Sequence, residues 1–305
     1  LATYTWYSTS ATGAVKEDVL DRIIMLEPYK RPLLTQLAKG KATQATHSWL
    51  KDSYATPTAN SNVEGADATA ETLSGQERLS NYTQIFSKTF QISQTMIATS
   101  QYGKKGEVGY QKLKKSKELS NDIEYALITG TSATGAAATA RTLAGVLAHI
   151  TTCTAGHTAA AVVSARDSGF EVAYNDQLQA VFEQGGDPKW ALMSGFQKRR
   201  TSTWTAAATK NVDVKDRRII AAVDVYESDF GLQRLIADNI WNVAAPATLA
   251  ILDPSKWRIC RLRPTKTTQL AKTGDSEKYQ IVAELTLEAL AEEANAKITG
   301  LATAV

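Results

Sequence analysis

The sequence predicts an α+β subunit with one long helix and sheets assembled from distant segments. Three observations carry this reading. The run "YQKLKKSKELSNDIEYALI" keeps helical spacing without proline or glycine. Short apolar runs bounded by turn residues recur through the second half, as in "LAILDPSKWRICRLRP". A polar stretch of about thirty residues, "THSWLKDSYATPTANSNVEGADATAETLSG", has little core pattern, and a loop of that length is unusual inside a compact domain.

The chain of 305 residues is long enough for a substantial core and one or two domains. Its 34 basic and 31 acidic side chains leave a net charge of +3, which does not mark a dedicated nucleic-acid binder. Cys153 and Cys260 form neither a metal spacing nor a disulfide framework and suit a reducing interior. No apolar run reaches eighteen residues and the start is not basic-then-apolar, so neither a membrane span nor a signal peptide is expected. The chain begins at Leu1, which fits either a trimmed terminus or proteolytic maturation.

Taken in order, residues 1–16 read as an extended arm. A short helix follows, with Val19, Leu20, Ile23, Ile24 and Leu26 on its apolar side and Glu17 and Asp18 near its start; Pro28 and Pro32 stop it. In the polar stretch the acids are Asp52, Glu64, Asp67 and Glu71, and the only base is Lys51. "THSWL" before it and "SNYTQIFSKTFQIS" after it are predicted to pair as two long strands. In the second, Thr83, Ile85 and Ser87 face one way and Gln84, Phe86 and Lys88 the other, so both sides mix polar and apolar residues. Such a ribbon either gains its missing burial from a neighbouring chain or is an ordinary surface hairpin.

Residues 103–129 read as the long helix, with Gly106 and Gly109 weakening its first turns and Leu119, Ile123, Ala126 and Leu127 marking its apolar stripe. Six lysines between Gly103 and Ser120 read as a solvated face, since aromatic stacking partners are sparse. The small-residue run "TGTSATGAAATARTLAG" suits a long loop or a tightly packed surface, and "TLAGVLAHI" a buried strand or short helix. "SGFEVAYNDQLQAVFEQGG" holds a helix capped by Asn175 or Asp176, striped by Leu178, Val181 and Phe182, and ended by Gly185 and Gly186. "PKWALMSG" reads as a strand, "FQKRRTSTW" as a short helix with a basic face, and "DRRIIAAVDVYESDFG" and "LQRLIADNIW" as strands. Two strands flank the Asp253–Pro254 turn, and "EKYQIVAELTLEALAEEANAKITGL" begins as a strand and continues as strand or helix.

No catalytic set emerges, so neither an enzyme nor a cofactor is expected. His149, Cys153 and His157 have an H-x3-C-x3-H spacing that would share a helix face, but Gly156 and the threonines disfavour a helix and no fourth ligand is in view. No metal site is predicted. Phosphate-loop and nucleophile-elbow patterns are absent, and Asp213, Asp216, Asp224 and Asp229 do not converge. The strongest basic concentration is Lys198, Arg199 and Arg200 with Lys210, Lys215, Arg217 and Arg218. It could touch phosphates, which would make the chain a basic nucleic-acid-binding structural module. It could equally meet the acidic loop 52–71 or the acids Glu284, Glu288, Glu292 and Glu293 of another copy. Separate blocks of both signs favour chain–chain contact.

An ordered set of segments carries a family resemblance: "LEPYKRPLLTQLAKGKATQATHSWLKDSYATP", "EGADATAETLSGQERLSNYTQIFSKTFQIS", "KKSKELSNDIEYALITG", "VYESDFGLQRLIADN", "LDPSKWRICRLRP" and "TGDSEKYQIVAELTLE". Together, over residues 17–290, they resemble the major capsid proteins of tailed bacteriophages, specifically a group long filed as a family of unknown function. The resemblance implies an HK97-like phage capsid fold. Its parts would be an N-terminal arm and short helix in 1–40, an extended β-hairpin loop in 41–92, a peripheral domain with the spine helix in 93–157, an axial domain in 158–248, and peripheral return strands and C-terminus in 249–305.

It further implies a subunit that self-assembles into the icosahedral shell of a virion around double-stranded DNA, built in the host cell cytoplasm. The partners would be other copies in pentamers and hexamers, the packaged DNA by non-specific contact, and portal and decoration proteins, with no membrane. The expected intersubunit loop residues are Trp49, Lys51, Asp52, Glu64, Asp67, Glu71, Arg78, Tyr82, Phe86 and Phe90, with Tyr82, Phe86 and Phe90 as aromatic anchors. Lys198, Arg199, Arg200, Arg217 and Arg218 would face neighbours or the lumen. Many relatives are trimmed during maturation, which would give Leu1 a meaning. Some crosslink a loop lysine to an asparagine, but no motif here fixes a pair for Lys51 or Lys88, and no crosslink is expected.

Overall fold

A computed structural model describes residues 27, 29–65, 67, 70, 72–73, 75–99, 106–156, 168–202, 204, 224–272 and 274–303. The expected arm and first helix, through residue 26, lie outside the described residues. The first half contains α1 (Pro32–Gln36), β1 (Ala38–Lys41), β2 (Thr46–Lys51), β3 (Glu77–Tyr82), β4 (Gln84–Ser93), α2 (Gln94–Ala98) and α3 (Glu107–Thr129). Then come α4 (Val146–His149), β5 (Cys153–Gly156), α5 (Ser168–Glu183), β6 (Trp190–Met193) and α6 (Gly195–Thr201). The last part holds β7 (Val225–Ser228), β8 (Gly231–Ala237), α7 (Asn239–Ala244), β9 (Leu249–Leu252), β10 (Trp257–Gln269), β11 (Ser276–Ala289) and β12 (Ala296–Thr299).

The strands form a four-stranded sheet in the order β1-β10-β11-β4, a six-stranded sheet in the order β5-β12-β9-β6-β8-β7, and the two-stranded ribbon β2-β3. The chain divides into two compact units, the smaller built on Lys88–Lys117 and Thr267–Ile281. In it Phe90 stacks on Tyr279 at 5.3 Å and Lys112 Nζ sits 4.3 Å over the Tyr279 ring. Tyr279 Oη and Gln94 Nε2 donate to Glu277 at 2.7 and 3.0 Å.

The larger unit is organised by the six-stranded sheet. All four residues of β9 are buried, as a central strand covered on both faces requires. Helix α5 packs on β5 and β12 with Tyr174, Leu178 and Val181, which join Met193, Trp204, Tyr226, Ile251 and Ile298 in one core. Local signals set the ends of the elements. Ser194 and Gln197 form a capping box on α6, and Asp238 accepts from Ile240 and Trp241 N–H at the start of α7. Gly185, at φ +78, supplies the left-handed turn after α5.

Helix α3 buries Leu119, Ile123, Ala126 and Leu127, as its spacing predicts, and Ile128 besides. Glu124 on the same helix accepts the Leu33 and Leu34 N–H groups at 2.8 Å, supplying acceptors at the start of α1. Burial pushes its carboxyl up to about 8 despite those two bonds.

Several expectations change. Helix α5 begins at Ser168, so Asn175 and Asp176 lie inside it; Asn175 accepts from Tyr226 Oη at 3.1 Å instead of capping. Phe182 is 60% exposed and leaves the apolar stripe. "LQRLIADNIW" divides at Asp238 into strand and helix, because that side chain caps the residues after it. The open C-terminal segment resolves as strands β11 and β12.

Behind α3 the chain passes close to itself. Gly145 N–H donates to Gly130 O at 2.8 Å, and a Cβ on Gly145 would lie 2.8 Å from the Ala126 and Ile128 carbonyl oxygens. Gly145→Ala is therefore expected to cost about 1–3 kcal/mol through overpacking. Gly109→Ala, in a helical position with open space around it, should instead be neutral or stabilise by up to about 1 kcal/mol. Denaturant unfolding of the purified chain compares the two.

Candidate assembly surface

Strands β2 and β3 pair antiparallel from Thr46 opposite Tyr82 to Lys51 opposite Glu77. Between them the chain makes an excursion in which every described residue from 52 to 76 is exposed. Tyr54, Val63 and Leu73 are among them, at 103%, 80% and 91% exposure. Asp52, Glu64 and Asp67 are exposed with them, while Glu71 lies outside the described residues. The predicted hairpin is present, but its second strand is Glu77–Tyr82, and Gln84–Ser93 is a separate strand in the four-stranded sheet.

That division corrects the anchor assignment. On β4, Phe86, Phe90 and Ile92 alternate inward and are 6–8% exposed, so the two phenylalanines belong to the subunit's own interior. Trp49 is also buried, beside His47 at 5.8 Å and His149 at 6.3 Å. Tyr82 is half-buried, and Arg78 Nη2 donates to Ser48 Oγ at 3.2 Å across the ribbon. Lys51 pairs with Glu293. A cavity of about 350 Å³ lies at the ribbon root, lined by Trp49, Lys51, Leu79, His149, Thr151 and Glu292 among others.

The root is fastened by buried polar groups. Asn81, 1% exposed, donates to Leu287 O at 2.7 Å and Ala144 O at 3.1 Å, and accepts from Ala144 N–H at 2.8 Å. Thr83 Oγ1 donates to Glu284 at 2.9 Å. Arg141 Nη2 and Arg263 Nε donate to the two oxygens of the same carboxylate, each at 2.6 Å. Burial opposes ionisation of Glu284, but the Thr83 hydroxyl and the two guanidinium groups outweigh it and hold the carboxyl below its usual value of 4.5.

The remaining acids near the C-terminus are also engaged within the chain. Glu292 accepts from the backbone N–H and hydroxyl groups of Thr151 and Thr152, Glu293 pairs with Lys51, and Glu288 faces His47 and Cys260. The expected use of these acids as targets for another copy's basic block is therefore replaced by internal roles. In the basic block, Lys198 donates to Leu235 O at 2.9 Å and pairs with Asp224 at 3.2 Å; burial draws its pKa down against that pairing. Arg199 and Arg200 lie 5.7 and 5.0 Å from the Phe196 ring. Lys210, Lys215, Arg217 and Arg218 lie outside the described residues.

His149 does not join Cys153 in a metal set: its Nε2 meets Asn81 Nδ2 at 3.2 Å, its ring lies 6.0 Å from Trp257, and burial lowers its pKa to about 4. His157 lies outside the described residues. The donors that do converge among the described residues are His47, Cys260 and Glu288, too far apart in sequence to form a motif.

A family model for the SU10 major capsid protein matches residues 3–302. The major capsid protein of Escherichia phage Phieco32 is 34% identical over 113 residues, which are 37% of this chain and 32% of that protein. The match thus spans about a third of that relative. The capsid of a native GTA particle superposes with a TM-score of 0.66 at 13% identity, over 98% of this chain and 100% of that one. Mycobacterium phage Bobi gives 0.65 at 11% identity, over 98% and 99%. At those identities the likeness to the two solved structures is one of fold.

The Glu284 cluster yields an acid-dependent outcome. Glu284→Ala leaves two arginines facing one another and is expected to cost about 3 kcal/mol, the low end for a broken buried pair because the arginines are partly exposed. The folded-state pKa lies below the unfolded value, so the carboxylate's contribution is full above about pH 4.5 and is lost as pH falls through the lowered value. Unfolding curves of the dissociated subunit should show a shallower acid loss in Glu284→Gln than in the wild type.

Proposed function

Because the chain belongs to the SU10 major capsid protein family, we propose that it is the shell-forming subunit of a tailed-phage virion, enclosing double-stranded DNA. The observation that carries this reading is the excursion at 52–76, exposed at every described residue and rooted in a buried polar network. A segment with so little burial of its own is stabilised when it lies over another copy. Covering Tyr54, Val63 or Leu73 would contribute about 1.5–3 kcal/mol each. In a closed heterologous ring every copy both gives and receives such a contact.

In this assignment α3 is the spine helix, the axial domain is built on the six-stranded sheet, which takes in β9 and β12 beside the strands of 158–248, and β10 and β11 return to the peripheral domain. The partners are copies of the chain in pentamers and hexamers, assembled in the host cytoplasm, with portal and decoration proteins completing the particle. A net charge of +3 suits a lining that contacts packaged DNA without reading its sequence. The internal pairing of Lys198 supports a structural use of that part of the basic block over a nucleic-acid groove.

Deleting residues 53–75 joins Asp52 to Gln76 and leaves a two-residue connection between the paired Lys51 and Glu77. The expected product folds, with unchanged circular dichroism, but negative-stain microscopy shows no closed particles. Normal shells from this variant would overturn the reading. A point-substitution pair separates core from surface. Phe86→Ala should cost the subunit about 3–5 kcal/mol. Tyr54→Ala should change subunit stability by less than about 0.5 kcal/mol and show its effect in light scattering, as weaker assembly.

A further inference from the structure

We propose that His47, Cys260 and Glu288 form a zinc site that pins the root of the extended ribbon to the four-stranded sheet. The three residues come from β2, β10 and β11, and their donor atoms lie within 4.8 Å of one another. Cys260 Sγ is 3.0 Å and His47 Nε2 is 3.5 Å from the same Glu288 oxygen. Tetrahedral zinc holds neighbouring sulfur, nitrogen and oxygen ligands roughly 3.3–3.5 Å apart, so shifts of about 1 Å or less would complete the geometry.

The donor chemistry selects the metal. A thiolate and an imidazole beside one carboxylate suit zinc, whereas magnesium and calcium take oxygen ligands. Three protein ligands leave a fourth position for water, and His47, with 18% of its side chain exposed, gives the site an opening to solvent.

Two further features point the same way. Glu288 and Glu284 lie four residues apart on β11, but their surroundings differ. Glu284 has two arginines and a threonine hydroxyl. Among the described residues the buried Glu288 side chain meets only a thiol and an imidazole, an environment with a place for a cation. Gly40 pairs with Cys260 across the parallel β1–β10 ladder, and a Cβ at position 40 would lie 2.7 Å from Sγ; glycine there keeps room for the sulfur. On binding, the thiol proton now donated to Glu288 passes to water, and both the sulfur and the carboxylate become ligands.

The test uses the purified full-length chain, stripped with a chelator and re-equilibrated with zinc or with cobalt(II) as a spectroscopic probe. The expected result is one metal per chain by elemental analysis and, with cobalt, a thiolate charge-transfer band. Cys260→Ser should abolish the band and Cys153→Ser should keep it. His47→Gln, on the open side of the cluster, should keep the fold and bind zinc at least about tenfold more weakly. Zinc should raise the melting temperature of the wild type more than that of folded His47→Gln at the same zinc concentration. Absence of bound metal in the folded wild type at micromolar zinc, or unchanged affinity in folded His47→Gln, would overturn the proposal.

Discussion

A ribbon that leaves the body of a subunit must be held where it leaves, and Thr83 is that place. It separates β3, in the ribbon, from β4, in the four-stranded sheet. The residue is fully buried and its polar groups are all engaged. Its N–H donates to Ala45 O, its carbonyl accepts from Arg141 Nε, and its hydroxyl donates to Glu284. A strand that changes sheets interrupts two ladders at once, and each interrupted backbone group needs another partner. The buried Glu284 carboxylate is sustained because two guanidinium groups and a hydroxyl meet it.

Glu124 shows the opposite balance. It accepts two N–H groups of α1, yet burial dominates and raises its pKa to about 8, while Glu284 is held below 4.5. At Glu124 burial outweighs the two backbone N–H groups and the Arg31 charge, whereas at Glu284 the Thr83 hydroxyl and two arginines at 2.6 Å outweigh it. The stability linked to Glu124 is therefore full below about pH 4.5 and is lost as pH rises through about 8, where a buried carboxylate must form, while that linked to Glu284 is lost in acid. Two anchoring carboxyls thus respond to pH in opposite senses.

Elements fixed by near neighbours were legible in the sequence. The 3.6-residue spacing of Leu119, Ile123 and Leu127 identified α3, and Asp253–Pro254 marked the turn between β9 and β10. The excursion was legible from its lack of core residues. What escaped was whatever a distant partner decides. In "QIFSKTFQIS" the inward face is Phe86, Phe90 and Ile92, but Lys88 interrupts it and Ile85 sits on the outer face, so the alternation reads as mixed. The same applies to the acids from residue 284 on, several of whose partners, Lys51, His47, Arg141 and Thr151, lie more than 100 residues earlier. Among the described residues the acids from 284 to 293 and Lys198, which look available for another copy in one dimension, are already engaged in three.

That pairing bears on how copies of the proposed shell hold together. With the acids of 284–293 and Lys198 engaged internally, the exposed apolar side chains of the excursion become the stronger candidates for contact between copies. The division of labour is physically consistent. Phe86 and Phe90 are buried within the chain itself and stabilise it without a partner. Tyr54, Val63 and Leu73 are uncovered in the single chain and, in the proposed shell, would be covered by a neighbour. Contacts of a few kcal/mol each are weak enough for a misplaced copy to leave, and repetition around a closed shell makes the finished particle durable.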